Sequence, residues 1–160
     1  MQRFRDRILT VNLILSTLIF YVAAKIYVFP LMSKVPAQAI LIPILLLHSF
    51  RHLGLMFLSR GATKEGMPLQ FAYPAAIGDC ITAVLAFIAI PAILMQLSFS
   101  TSLVWAFNIV GTLDLIVATV LATIYQEQNY LGAAYWIPAF WVPALLVSHY
   151  ITFILLFEKF

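Results

Sequence analysis

The feature that most constrains this chain is a succession of five apolar stretches divided by short polar breaks. They lie at about 8–29, 38–58, 71–97, 102–125 and 133–157. Each reaches the roughly 20 residues needed to cross about 30 Å of hydrocarbon. Inside lipid every backbone N–H and C=O must find a partner within the protein, and a helix meets that demand without closing a barrel. Residues 1–160 are therefore read as one integral membrane domain, an all-α polytopic transmembrane helical bundle of five spans. The breaks are tight, above all around Ser98–Thr101, so neighbouring helices should run as antiparallel hairpins. No internal repeat is visible, and five spans do not divide into equal inverted halves.

Charge supports the same reading. Only 9% of residues are charged, where a soluble domain carries about 25%. Six acids and nine bases cannot build a water-facing surface. The net charge of +3 is not a nucleic-acid signal, because no basic face offers room for many phosphates. The expected partner is the lipid bilayer. Cys80 is the single cysteine, so no intrachain disulfide can form, and its apolar surroundings suit a small buried thiol.

The first stretch resembles a signal peptide in its basic start, Met1–Arg7, and in Val22-Ala23-Ala24 as a cleavage site. The apolar run nevertheless continues beyond Lys25 to Phe29, which makes a full span and favours retention. Cleavage would leave four spans. Arg3, Arg5, Arg7, Arg60 and Lys64 fall on one side of the five-span layout, while Lys34 and Lys159 fall on the other, with Lys25 snorkelling towards them. The positive-inside rule then puts the N-terminus in and the C-terminus out. Tyr125, Tyr130, Tyr135 and Trp136 suit an interfacial aromatic belt.

Within the spans, His48, Arg51, Asp79, Asn108, Asp114 and His149 call for an explanation, with His52 beside them. Ionisable groups at such depth cost about 2.5–3.5 kcal/mol each on insertion scales, so they should face the bundle interior and find partners. A rise of about 1.5 Å per residue puts Arg51 and Asp79 at similar depths, roughly 10–12 Å from one membrane face, on neighbouring helices. An Arg51–Asp79 ion pair is the most specific structural expectation. The same ruler pairs His48 with Asp114 at roughly 15–17 Å, and Asn108 with His149 at roughly 24–26 Å, giving a ladder of three polar rungs.

Helical spacing also puts His48, Arg51 and His52 on one face. A His pair at i, i+4 can hold zinc or iron, with His149 or Asp114 completing the shell, and His149 facing His48 or His52 could hold haem. A neighbouring arginine opposes a second cation, so a hydrogen-bonding face around the ion pair is the simpler reading, with no cofactor. Asp114 has no basic residue in its own helix, so it either holds a proton or faces Arg51 or a histidine. Gly111 suits close helix packing, with Asn108 as interhelical glue. Pro43, Pro74, Pro91, Pro138 and Pro143 lie inside spans, and the last two predict a bend in helix five ahead of His149. No Gly-rich phosphate loop, Gly-x-Ser-x-Gly or His-Glu-x-x-His occurs, which excludes ATP-driven transport by this chain alone.

Four stretches together carry a family likeness. They are His48-Ser-Phe-Arg51-His-Leu-Gly54, then Phe71-Ala-Tyr-Pro74 to Gly78-Asp79, Asn108-Ile-Val-Gly111-Thr-Leu-Asp114-Leu, and Pro143 to His149. In these the chain resembles a widespread family of small bacterial integral membrane proteins of five spans, with no established activity. The likeness covers about two thirds of the chain and leaves the first helix outside. It implies a multi-pass protein of the bacterial inner membrane, with Arg51, Gly78, Asp79, Asn108, Gly111, Asp114 and His149 as pattern residues. His52 fits that pattern less well. A fainter likeness is to membrane hydrolases that hold zinc with three histidines and an aspartate, but residue order and span number differ.

The leading functional expectation is a buried polar site, lined by His48, Asn108, Asp114 and His149, that binds a small solute or moves it in a proton-linked way. A homo-oligomer or a membrane-protein partner would complete the pathway. The alternatives are an intramembrane metal- or haem-dependent enzyme or redox subunit, and a structural subunit of a membrane complex.

Overall fold

A computed structural model describes residues 7–159, so Arg3 and Arg5 lie outside the described residues. Five helices are long and apolar enough to cross a membrane: α1, Ile8–Met32; α2, Ala37–Leu58; α3, Leu69–Leu94; α4, Ser100–Ile124; and α5, Gly132–Lys159. Among the described residues every regular element is helical. The chain is an all-α bundle of five membrane-spanning helices.

Local chemistry sets the helix ends. Pro36 and Pro68 precede α2 and α3 in extended conformation, where a missing N–H costs nothing. After α3 the chain turns through Gln96 at φ 53, and the Leu97 N–H returns to the Ala92 carbonyl. That six-to-one bond satisfies a carbonyl which the helix end would leave open. Gln126, at φ 50, makes the corresponding turn after α4.

Helix winding departs from α in four places, the shortest being a 3₁₀ turn over Gly132–Tyr135 at the start of α5. In α1 and α5 a wide turn spans Ala24–Val28 and Ile137–Trp141, closed by the Phe29 N–H on Ala24 O and the Val142 N–H on Ile137 O. A proline, Pro30 or Pro143, follows each closing residue. The proline ring would collide with the carbonyl four residues back, and the wide turn moves that carbonyl aside. In α2 the second half, Phe50–Leu58, winds as a tight 3₁₀ helix. Three residues per turn bring Arg51, Gly54 and Phe57 onto one buried line.

Packing is organised around α2, α3, α4 and α5. Helix α3 touches α2 and α4, and α5 touches both of those as well. Alanines at 75, 76, 83, 86, 89 and 92 are buried along α3, and their small side chains let neighbouring backbones approach closely. Helix α1 docks on the outside of α5 through Phe20 against Phe140, and through Tyr21 and Phe29 against Tyr150. Only 6% of its most apolar window is buried, against 56% for α5, so α1 mostly meets lipid.

Two apolar clusters fill the interior at different depths. One gathers Leu41, Leu45, Ala86, Ala89, Val104, Phe107, Leu155 and their neighbours, towards the side of the α1–α2 and α3–α4 loops. There the Lys159 ammonium donates to the Met32 and Val35 carbonyls and ties the end of α5 to the α1–α2 loop. The other cluster holds Leu9, Phe57, Phe71, Ala72, Ala75, Leu131 and Ile137, towards the α2–α3 and α4–α5 loops. Those loops are joined by Lys64 N–H on Tyr130 O and Ala134 N–H on Ala62 O. Gly132, at φ +52, lies where a side chain would strike the Ala62 carbonyl. Between the two clusters is the polar layer.

Candidate functional site

Arg51 is the centre of that layer, and its side chain is 0% exposed. Its Nε donates to Asp79 Oδ1 at 2.6 Å, and one terminal nitrogen donates to Asp114 Oδ2 at 2.5 Å. The other terminal nitrogen, Nη1, donates to the Gly111 carbonyl at 3.2 Å and meets His149 Nε2 at 3.2 Å. One guanidinium from α2 thus joins α3, α4 and α5. A guanidinium suits this task because its five donors form a rigid planar fork.

The remaining bonds fix proton positions. Asn108 Nδ2 donates to the His149 carbonyl at 3.3 Å, which orients the amide with Oδ1 towards the ring. His149 Nδ1, 2.7 Å from that oxygen, must therefore carry the hydrogen, leaving Nε2 bare to accept from Arg51. His149 is neutral in this arrangement. Ser148 Oγ donates to the Leu145 carbonyl at 3.0 Å and accepts from His48 Nε2 at 2.8 Å. His48 Nδ1 is then a bare, buried nitrogen with no hydrogen-bond partner. The His48 and His149 rings lie tilted against each other with 4.3 Å between centroids, both against Phe107.

Three glycines make the space. A Cβ on Gly54 would overlap the Asp79 carboxylate, and one on Gly78 would overlap that of Asp114. At Gly111 it would stand 2.6 Å from the His149 ring and 2.7 Å from Thr82. The cluster depends on these close approaches as much as on its charges.

A cavity of about 180 Å³ begins at the two aspartates. It runs beside α4 past Leu115, Ala118, Thr119, Ala122 and Thr123 to Glu127 and Gln128 in the α4–α5 loop. Leu9, Thr10 and Leu13 of α1 form its opposite wall. Glu127 is 3% exposed, and its Oε2 has no hydrogen-bond partner. Burial pushes the Glu127 carboxyl up from its usual 4.5 to about 7.

Several expectations are corrected by this geometry. The ladder of three rungs is a single cluster: Asn108 meets His149, but His48 does not pair with Asp114. Arg51 is long enough to reach α4 and occupies Asp114 itself, while His48 turns to Ser148 on α5. His48, Asn108 and His149 do not line the cavity, because the Arg51 layer stands between, whereas Asp79 does line it. His52 is exposed and contacts the Ser49 carbonyl, since 3₁₀ winding rotates it away from the face of Arg51. The metal set His48, His52, His149 and Asp114 is therefore not assembled. Among the described residues no three His, Cys, Asp or Glu side chains are grouped to hold a metal ion. Haem does not fit between His48 and His149 either, because the two rings touch and three of their four nitrogens are engaged.

Glu127 had no signal beyond being a rare acid, for it sits in a loop where acids are ordinary. Gly54 and Thr82 look like packing residues in sequence, and only the meeting of helices gives them their role.

Fold and site together define a helical integral membrane protein with a buried arginine–dicarboxylate cluster at the end of a one-sided cavity. The chain belongs to the family described as Domain of unknown function (DUF8737), whose model matches residues 8–157 and so takes in α1. No curated protein and no solved structure matches it.

Proposed function

We propose that this protein binds a small solute in the cavity beside α4 and moves it in a proton-linked way. The observation that carries this reading is the charge count at the cavity's inner end. Two carboxylates face one guanidinium, which leaves one negative charge in a poorly solvated place. Such a charge is expensive unless a proton or a cation balances it, and an exchange between the two couples solute to proton. The neutral His149 and Asn108 hold Arg51 in position from behind.

We place the protein in a bacterial inner membrane with the N-terminus inside, from the family likeness and the lysine and arginine counts. The cavity then lies on the cytoplasmic half, and a pathway through the apolar half needs either helix movement or a second copy of the chain.

Proton flux into proteoliposomes tests the reading. Asp114→Asn keeps an oxygen for Arg51 but removes the exchangeable charge, and it should abolish flux while the melting curve is retained. His149→Ala should reduce flux through misplacement of Arg51. Flux at the wild-type level in Asp114→Asn would reject the proposal.

A further inference from the structure

The polar groups of this largely apolar cavity are mostly hydrogen-bond acceptors, with Thr10 and Gln128 the lining side chains that can donate, and this narrows what it can hold. Among the described residues no donor reaches Asp79 Oδ2 or Asp114 Oδ1, whose partner oxygens are taken by Arg51. Thr119 and Thr123 spend their hydroxyl hydrogens on the Leu115 and Thr119 carbonyls, so only their lone pairs are left for a ligand. Glu127 presents an unpartnered buried oxygen at the far end. Between these ends the wall is apolar, with Phe57, Phe71, Leu115 and Ile137. Among the described residues no lysine, arginine or histidine lines the cavity. An anion would meet the Asp79 and Asp114 carboxylates with their one guanidinium already engaged by both, and a neutral alcohol would leave the cluster's net negative charge unbalanced.

We propose that the ligand of this cavity is a primary ammonium with an apolar tail, seated with its nitrogen at Asp114 and Asp79 and exchanging there for one proton. This rests on the solute-binding reading above and names its substrate class. The charged groups around Asp114 are Arg51 of α2 and Asp79 of α3, with His149 of α5 behind Arg51 and Glu127 beyond the end of α4. With one proton shared among Asp79, Asp114 and Arg51, the cluster is neutral. When the ammonium enters, that proton leaves, and the cluster's total charge with its ligand is unchanged. An alkyl tail then runs along the apolar wall towards Glu127, which lies beyond the end of α4 at Ile124, itself about 15 Å from Asp114 by ten residues of helical rise. The cavity volume of about 180 Å³ restricts the site to small amines, since drug-sized ligands occupy roughly 300–1,000 Å³.

The test uses the full chain in lipid nanodiscs, with empty nanodiscs as the blank, and three probes of one length: hexylamine, hexanol and hexanoate. Calorimetry measures binding, and a pH electrode in weak buffer measures released protons. Hexylamine should bind at least about tenfold more tightly than either other probe, with close to one proton released per chain, a gap of about 1.4 kcal/mol or more. Asp114→Asn should lower hexylamine affinity at least about tenfold and end proton release. If that variant does not fold, Ala122→Leu, which fills the cavity, replaces it and should abolish binding. Hexanol or hexanoate binding as tightly as hexylamine would overturn the ammonium assignment, as would amine binding that survives both variants. Should the amine fail while proton flux still depends on Asp114, the substrate class alone is wrong. Should flux also be independent of Asp114, the transport reading falls with it.

Discussion

The two halves of this bundle, on either side of Arg51, are built by opposite rules. On the side of the α1–α2 and α3–α4 loops, Leu41, Leu45, Ala86, Ala89, Phe107 and Leu155 close the interior with apolar side chains. On the other side the helices leave a cavity whose wall mixes apolar groups with threonines and carboxylates. A membrane gives little hydrophobic reward for bringing helices together, so the closed half must be held by close packing and the small residues that permit it. The open half forgoes that packing beside α4. Its loops are instead fastened by backbone bonds between residues 62–64 and 130–134. Arg51 belongs to both halves, since it anchors the carboxylates of one and rests on the histidine layer above the other. The comparison teaches that close packing and open space here occupy different depths.

The largest expected effect comes from breaking the junction. Arg51→Ala strands two buried carboxylates and should cost about 3–5 kcal/mol in detergent unfolding. Adding Asp79→Ala and Asp114→Ala to it should restore part of that stability. A triple variant less stable than Arg51→Ala alone would show that the ion pairs are not the source. Next comes small-to-large substitution in each half. Ala86→Leu overfills the closed half and should cost about 1–3 kcal/mol. Ala122→Leu enters existing space and should shift stability by under about 0.5 kcal/mol while blocking the cavity. Equal losses would erase the distinction between the halves. Gly78→Ala should behave like Ala86→Leu, because its Cβ collides with Asp114.

A smaller effect belongs to Glu127. Its carboxyl is raised from 4.5 to about 7, so between those pH values the folded state holds a proton that the unfolded state has lost. Stability from this group is therefore full at low pH, falls as pH rises through that window, and stays reduced above it. Glu127→Gln should flatten the melting temperature across the window and raise it above pH 7. An unchanged pH profile would mean the carboxyl is solvated. A modest loss also belongs to Asn12→Ala, which removes the 3.0 Å bond from Asn12 to Tyr135 between α1 and α5, and should cost about 0.5–1.5 kcal/mol.

Much of this architecture is legible from residues alone, because lipid leaves few options. The five spans follow from apolar length, and the depth ruler put Arg51 near Asp79 and Asn108 near His149 because α-helical rise is constant. The ruler failed where winding changes: His52 left the expected face because α2 turns 3₁₀ at Phe50, a change that no residue there announces. It also could not see reach. Arg51 is long enough to span two rungs, so the ladder closed into one cluster around its guanidinium. Nor could depth alone find the cavity, which is an absence of side chains rather than a presence. The first helix, which the family likeness left outside, supplies a cavity wall through Leu9, Thr10 and Leu13.

The division of the bundle at Arg51 can be measured by cysteine accessibility. With Cys80→Ala removing the native thiol, single cysteines at Thr119 and Ala122 probe the open half, and at Leu41 and Ala86 the closed half. A small, charged, water-soluble methanethiosulfonate reagent should modify the first pair rapidly in folded protein in lipid vesicles, from one side of the membrane, and leave the second pair unreacted. Labelling of all four at similar rates, or of neither pair, would contradict the account.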